Sequence, residues 1–257
     1  MKVVILAGGL GTRISEESHL KPKPMIDIGE QPILWHIMKS YSYYGYNEFI
    51  ICCGYKGHII KKYFSDYYLH RSDITFDFST DNTITIHSNV AEPWKVTVVD
   101  TGLNTMTGGR VKRIEHYIRE ESFMLTYGDG ISDVNLNELE RFHSDHGKIA
   151  TITAIQPGGR FGIIDIDTGG VVTNFKEKKK EDGGWINGGF MVLKPEIFKL
   201  IDDDQTVFEE YPLEQCAHLS ELVAYKHHGF WQCMDTLREK KMLEELVITG
   251  KAPWIKW

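Results

Sequence analysis

Three short apolar runs do most to limit what this chain can fold into. VVIL (3–6), EFIICCG (48–54) and FMLTY (123–127) are apolar with little polar alternation. A strand with one wet face alternates, so an unbroken apolar run fits a strand buried on both faces, as in a parallel sheet. Between the first two lies QPILWHIMKSYSYYG (31–45), with Ile33, Leu34, Ile37, Met38, Tyr41 and Tyr44 at helical spacing. Pro32 suits an early helical position and Gly45 a C-cap. HIIKKYFSDYYLH (58–70) reads as the next helix. Strands alternating with helices predict an α/β chain whose parallel sheet is covered on both sides.

The middle of the chain changes character. ITFDF (74–78) and TITIH (83–87) alternate around STDN, which predicts a β-ribbon inserted into the α/β pattern. KVTVVD (95–100) is a further strand, 108–118 a helix, and a helix after GDG runs to about His146. IATITAI (149–155) is a strand, 161–178 a hairpin, and NGGFMVLKP (187–195) a strand closed by proline. Residues 196–201 and 206–219 read as helical, ELVAYKH (221–227) as a strand and 235–249 as a closing helix. No long linker interrupts this, so 1–257 reads as a single domain, with a nucleotide-binding half over about 1–130 and a second half over about 131–257.

Composition removes whole classes of function. The net charge is -7, from 36 acidic and 29 basic residues. Phosphate-backbone binding needs a basic surface, so no nucleic-acid partner is expected. No apolar run nears the roughly 18 residues of a membrane span, and no membrane association is expected. The four cysteines, Cys52, Cys53, Cys216 and Cys233, lack zinc-site spacing and read as buried thiols of a reducing, cytoplasmic protein.

The first strand runs into AGGLGTR, and KPKPM follows at 21–25. A P-loop needs Gly-Lys-Ser/Thr, and the residues here are Thr12 and Arg13. A dinucleotide fingerprint needs a small third position, and position 14 is Ile. A loop whose backbone N–H groups hold a nucleotide fits better, because glycine allows close approach. Arg13 offers a planar fork for phosphate oxygens, and Lys23, stiffened toward an extended conformation by Pro22 and Pro24, offers a point charge. TYGDG (126–130) delivers Asp129 at the carboxyl end of a buried strand, where open α/β sheets bind ligands. A metal reading needs a second carboxylate. Asp235 in WQCMDT is available, although it also suits a helix N-cap. Convergence of the two specifies Mg²⁺ between carboxylates and phosphates.

Taken in order, LAGGLGTR, KPKPM, TYGDG, Glu177-Lys178, NGGF and the late MDT resemble the sugar-1-phosphate nucleotidylyltransferases along essentially the whole chain. PILWHIMKSYSYYGYNEFIICCGYKG, EPWKVTVVDTG, MTGGR and GFWQCMDTLR are similar to family members that use CTP. The resemblance implies a Rossmann-like nucleotidyltransferase fold with a mixed, mostly parallel sheet flanked by helices. It implies CTP and α-D-glucose 1-phosphate as substrates, CDP-glucose and pyrophosphate as products, Mg²⁺ as cofactor, and a homo-oligomer. CDP-glucose in this family feeds surface polysaccharide. Position by position, Leu6, Ala7, Gly8, Gly9, Leu10, Gly11, Thr12 and Arg13 fall on the nucleotide and its phosphates, and Lys23 on phosphate. Thr105, Arg110 and Gly128 fall on the nucleotide site, Asp129 and Asp235 on the metal, and Glu177, Lys178 and Asn187 on the sugar phosphate. The implied catalytic set is Arg13, Lys23 and Asp129. One departure stands out: the family often has Glu-Lys-Pro where this chain has Glu177-Lys178-Lys179. Three rivals stay open on sequence alone: an NAD oxidoreductase, a non-catalytic nucleotide-sugar sensor, and a transferase using UTP or dTTP.

Overall fold

The apolar runs are strands, and they lie side by side. The computed structural model describes residues 1–79, 81–157, 163–166, 172–176 and 184–257. Lys2–Ala7 pairs in parallel with Glu48–Cys53 on one side and Phe123–Tyr127 on the other, and Lys95–Asp100 extends the first side in parallel. Beyond Phe123–Tyr127, Met191–Leu193 runs antiparallel. Ala150–Ile155 follows, antiparallel to Met191–Leu193 and parallel to Leu222–His227. The eight-stranded sheet is therefore mixed and mostly parallel.

Burial on both faces explains the absence of alternation. Val3, Ile5 and Ala7 join one apolar cluster, with the Ile33–Tyr43 helix and Leu243 of the Leu237–Ile248 helix. Val4 and Leu6 join the other, with Val111, Ile114, Ile118 and Cys216. Cys52 and Cys53 divide between the two faces in the same way, and all four cysteines are free.

Several elements differ from expectation. Pro32 is not inside its helix; it flanks Ile33–Tyr43 with extended backbone (φ -64°, ψ 150°). Lys23 is not extended, because Lys23–Met25 forms a single 3-10 turn. The predicted 108–118 helix is two, Thr107–Arg113 and Glu115–Ile118, and 206–219 is helical only over Tyr211–His218. The predicted ribbon is present, Ser72–Asp77 against Thr83–Asn89, and so is the later hairpin, Ile163–Ile166 against Val172–Lys176.

The expected 187–195 strand breaks at 188–190. Gly189 takes φ +74° and Phe190 φ +47°, a left-handed backbone that costs a bulky residue about 1 kcal/mol or more. Tertiary contacts hold it there. Trp231 Nε1 donates to the Gly188 carbonyl (2.7 Å), and Thr153 Oγ1 to that of Phe190 (2.7 Å). The Phe190 ring is buried and stacks on Tyr41, centroids 6.0 Å apart.

A buried histidine, His143, and a half-buried one, His146, brace the far side of the sheet. The Thr151 hydroxyl lies 2.8 Å from His143 Nδ1 and 2.7 Å from His146 Nε2. The hydroxyl has one proton, so at most one of these nitrogens accepts from it, and His146 Nδ1 accepts from the Lys148 N–H (3.0 Å), which requires that imidazole to be neutral. Burial first, then the neighbouring His146 and Lys194, pushes the His143 pKa down to about 4 from 6.5. The unfolded chain therefore binds more protons than the folded one below pH 6.5. The stability is complete above that pH, is lost as pH falls toward about 4, and amounts to about 3 kcal/mol. Urea denaturation across this range checks it. His143→Gln should flatten this part of the profile, and an unchanged profile would remove His143 from the acid response.

Candidate active site

The glycine loop leaves the end of the Lys2–Ala7 strand at the carboxyl edge of the sheet. Among the described residues, the N–H groups of Gly9, Leu10 and Gly11 have no backbone acceptor. Gly11 is left-handed (φ +66°), and a Cβ there would sit 3.1 Å from Ser18 Cβ and 3.3 Å from Lys23 Cβ. The loop thus packs directly on the segment that carries Lys23, and its free amides suit an anion. Arg13 follows, with its side chain 72% exposed.

Arg110 supports this loop from behind. It is buried, and its guanidinium donates to the carbonyls of Gly8 (3.1 Å), Cys53 (3.1 Å), Gly102 (2.7 Å) and Leu103 (3.3 Å), and to Thr101 Oγ1 (2.8 Å). Those acceptors follow the ends of three adjacent parallel strands, so one planar fork ties three loops together. A Cβ on Gly8 would come within 2.1 Å of Arg110 Nη1, which explains the glycine. Thr105 is buried in the loop between Gly102 and the Thr107–Arg113 helix.

Asp129 and Asp235 meet on one nitrogen. Lys23 Nζ lies 2.6 Å from Asp129 Oδ2 and 2.5 Å from Asp235 Oδ1. Arg13 Nη1 pairs with the other oxygen of Asp235. The cause is a short antiparallel ladder, Gly130–Ser132 against Trp231–Cys233, with Gly130 opposite Cys233. The Met234 N–H donates to the Asp129 carbonyl (2.9 Å), which closes the two turns together. Gly128 is required at the crossing, because a Cβ would lie 2.9 Å from both the Leu6 carbonyl oxygen and Pro24 Cγ.

Asp235 does not cap the final helix. Thr236 does, in a capping box: Thr236 Oγ1 accepts from Glu239 N (3.3 Å), and Glu239 Oε2 accepts from the N–H groups of Thr236 (2.9 Å) and Asp235 (2.7 Å). That arrangement leaves the Asp235 carboxylate free to face Lys23. Burial opposes the charge on Lys23, but Asp129 and Asp235 outweigh it and hold its pKa above the ordinary lysine value. Burial likewise opposes ionisation of Asp235, and Lys23 and Arg13 reverse the balance, leaving its pKa below the usual carboxylate range. Cys233 shows the local field, its thiol pushed up to about 12 by burial and then by Asp235 and Glu239.

The two carboxylates suit a hard cation. Both reach a single positive atom, and among the described residues no third acidic, histidine or cysteine ligand joins them. Mg²⁺ is commonly held by one or two carboxylates plus substrate phosphates, so this donor set fits it.

Leu6 to Arg13, Lys23, Gly128, Asp129 and Asp235 therefore gather at one end of the sheet. Asn187 lies at the 188–190 break; its side chain hydrogen-bonds Tyr127 and accepts from Gly189 N (2.9 Å). Glu177 and Lys178 lie outside the described residues. The sequence reading did not single out the neighbouring polar network, in which Glu209 accepts from Tyr127 Oη (2.6 Å) and Thr107 Oγ1 (2.6 Å). It also missed the capping box, although Thr236-Leu-Arg-Glu239 carries the signature.

Known proteins share this arrangement of sequence and fold. The nucleotidyl transferase family pattern matches residues 2–232. A glucose-1-phosphate cytidylyltransferase of Salmonella typhi is 56% identical over 258 residues, covering 100% of both chains. A mannose-1-phosphate guanyltransferase of Saccharomyces cerevisiae is 28% identical, over 96% of this chain and 64% of its own. A solved UDP-glucose pyrophosphorylase complexed with UDP-glucose superposes with a TM-score of 0.69 at 16% identity, covering 97% of this chain and 98% of that one. That likeness shows the fold alone. With the match over 2–232 and the full-length identity to the Salmonella enzyme, this chain belongs to the nucleotidyl transferase family.

Proposed function

We propose that this chain transfers CMP from CTP to α-D-glucose 1-phosphate, giving CDP-glucose and pyrophosphate. The observation that carries the reading is the meeting of Asp129, Asp235, Lys23 and Arg13 beside the glycine loop, in a chain 56% identical to a glucose-1-phosphate cytidylyltransferase. In this reading the nucleotide half spans about 1–130 and the sugar-phosphate half about 131–257. Four free thiols suit a reducing cytoplasm. Among the described residues, no helix is long and apolar enough to cross a membrane.

A phosphate oxygen of glucose 1-phosphate attacks the α-phosphorus of CTP in line. The new P–O bond forms as the bond to the bridging oxygen of pyrophosphate breaks, and pyrophosphate leaves with that electron pair. The attacking phosphate is already anionic at neutral pH, so no general base is required. The obstacle is the approach of two anions, and positioned cations answer it. Arg13, exposed at the mouth of the loop, takes the pyrophosphate side. Lys23 takes the α-phosphate, and the loop amides hold the remaining oxygens. Lys178 and Glu177 are assigned to the sugar phosphate, with Asn187 at the same end. Thr105 and Arg110 act from behind, as supports of the nucleotide loop. A Mg²⁺ held by Asp129 and Asp235 would offset charge on the phosphates.

CDP-glucose made here would feed surface polysaccharide. A homo-oligomer is part of the reading: the ribbon exposes Phe76, Phe78, Ile84 and Ile86, which a second copy would cover. One assay tests the reaction, namely pyrophosphate release with glucose 1-phosphate, Mg²⁺ and each nucleoside triphosphate in turn. CTP should be the preferred substrate. A preference for UTP or dTTP would move the base assignment, and CTP binding without pyrophosphate release would make the chain a sensor.

A further inference from the structure

The helix Gly57–His70 fully buries Ile60 alone, while its Ile59, Tyr63 and Phe64 pack half-buried against the core. Its residues Ile59, Lys62, Tyr63 and Tyr67, at three- and four-residue spacing, line a cavity of about 530 Å³ together with Met25 and Arg71. Ligand sites of small molecules fall in the range of about 300–1,000 Å³. None of Arg13, Lys23, Asp129 and Asp235 lines this cavity.

Its chemistry is aromatic on the walls and positive at the edge. The Arg71 guanidinium lies over the rings of Tyr67 (5.6 Å) and Trp35 (5.8 Å). Those contacts use its face and leave its edge, which carries the N–H donors, open. Among the described residues neither Arg71 nor Lys62 has an ion-pair partner or a side-chain hydrogen bond. Asp66 is the one carboxylate on the lining; it accepts from Ser65 Oγ (2.9 Å) and offsets one of the two cations. Tyr63 and Tyr67 lie 5.3 Å apart, and the Tyr63 hydroxyl is buried without a partner. In a chain of net charge -7, a cavity with spare positive charge beside two rings selects for an anion with a flat body.

We propose that this cavity is a second ligand site, distinct from the site of transfer, and that it takes a nucleoside phosphate. Arg71 and Lys62 bind the phosphate, and the ring lies against Tyr63, since the Tyr67 ring is already covered by Arg71 and stacked on Trp94. Met25 connects the two sites, since it lines this cavity and closes the 3-10 turn that begins with Lys23. Occupancy therefore bears on the placement of Lys23.

Calorimetric titration with CDP tests this. A CDP site should be weakened at least about tenfold in Lys62→Ala/Arg71→Ala and left unchanged in Asp129→Asn, which lies outside the cavity. Lys62 is exposed, so Lys62→Glu should fold normally and weaken the same site even if the double variant does not fold. Pyrophosphate release by the Lys62 variant without added CDP should keep its wild-type rate. Inorganic phosphate should bind at least about tenfold more weakly than CDP, because it lacks the ring. Overturning results are wild-type CDP affinity at every site in Lys62→Glu, or phosphate binding as tightly as CDP. Because the test counts a site lost with Lys62, it is independent of whether CTP is the substrate.

Discussion

Lys23→Ala lowers pyrophosphate release about a hundredfold or more, the scale of losing one positioned charge donor in a transition state. Two features place Lys23 in the chemistry. Its ammonium is held 2.6 Å and 2.5 Å from two carboxylates, and its side chain is only 9% exposed. A charge in so little water acts more strongly on a phosphate than one on the surface. Lys23→Arg should not restore the rate. Gly11 packs against the base of this side chain, and a planar fork needs more width than a point charge. Steady-state assays of both variants, with CTP and glucose 1-phosphate saturating, check this. A rate near wild type in Lys23→Ala removes the residue from the reaction.

Asp129→Asn abolishes Mg²⁺-dependent turnover, by roughly a thousandfold, while the fold survives. Asparagine has the same shape, and Lys23 keeps its pair with Asp235. The backbone contact of Asp129 with Met234 does not involve the side chain, so the two turns stay joined. Circular dichroism and the melting temperature should stay close to wild type while pyrophosphate release is lost. A variant that still turns over with Mg²⁺ shows that Asp129 is no metal ligand.

Much of this arrangement is legible in the sequence, for physical reasons. Strands such as VVIL announce themselves because burial on both faces leaves no room for polar alternation. The glycines at 8, 11 and 128 read as nucleotide contacts, and the structure adds a constraint that the sequence hides: a Cβ at each would crowd protein atoms, of Arg110, of Ser18 and Lys23, and of Leu6 and Pro24. The meeting of Asp129 with Asp235 is not legible. It depends on a three-residue ladder between segments about a hundred residues apart, and no local pattern encodes that register. The family resemblance puts Arg110 on the nucleotide site, yet its guanidinium turns to the strand ends and donates to backbone carbonyls, which its position in the chain does not reveal. The break at 188–190 is hidden for a similar reason. Phe190 has no preference for φ +47°, and only Trp231, Thr153 and Tyr41 hold it there.

The bond between Lys23 and the two aspartates has a consequence for the order of assembly. Before substrates arrive, the pocket is its own counter-ion and is close to electrically neutral, so a stray phosphate gains little by entering. On the proposed reading, nucleotide must draw the ammonium away from the carboxylates, and divalent cation must replace it there. Whichever comes first does the work of separation, and the second finds the place ready. Their affinities are therefore coupled, and by thermodynamic reciprocity each must tighten the other by the same factor.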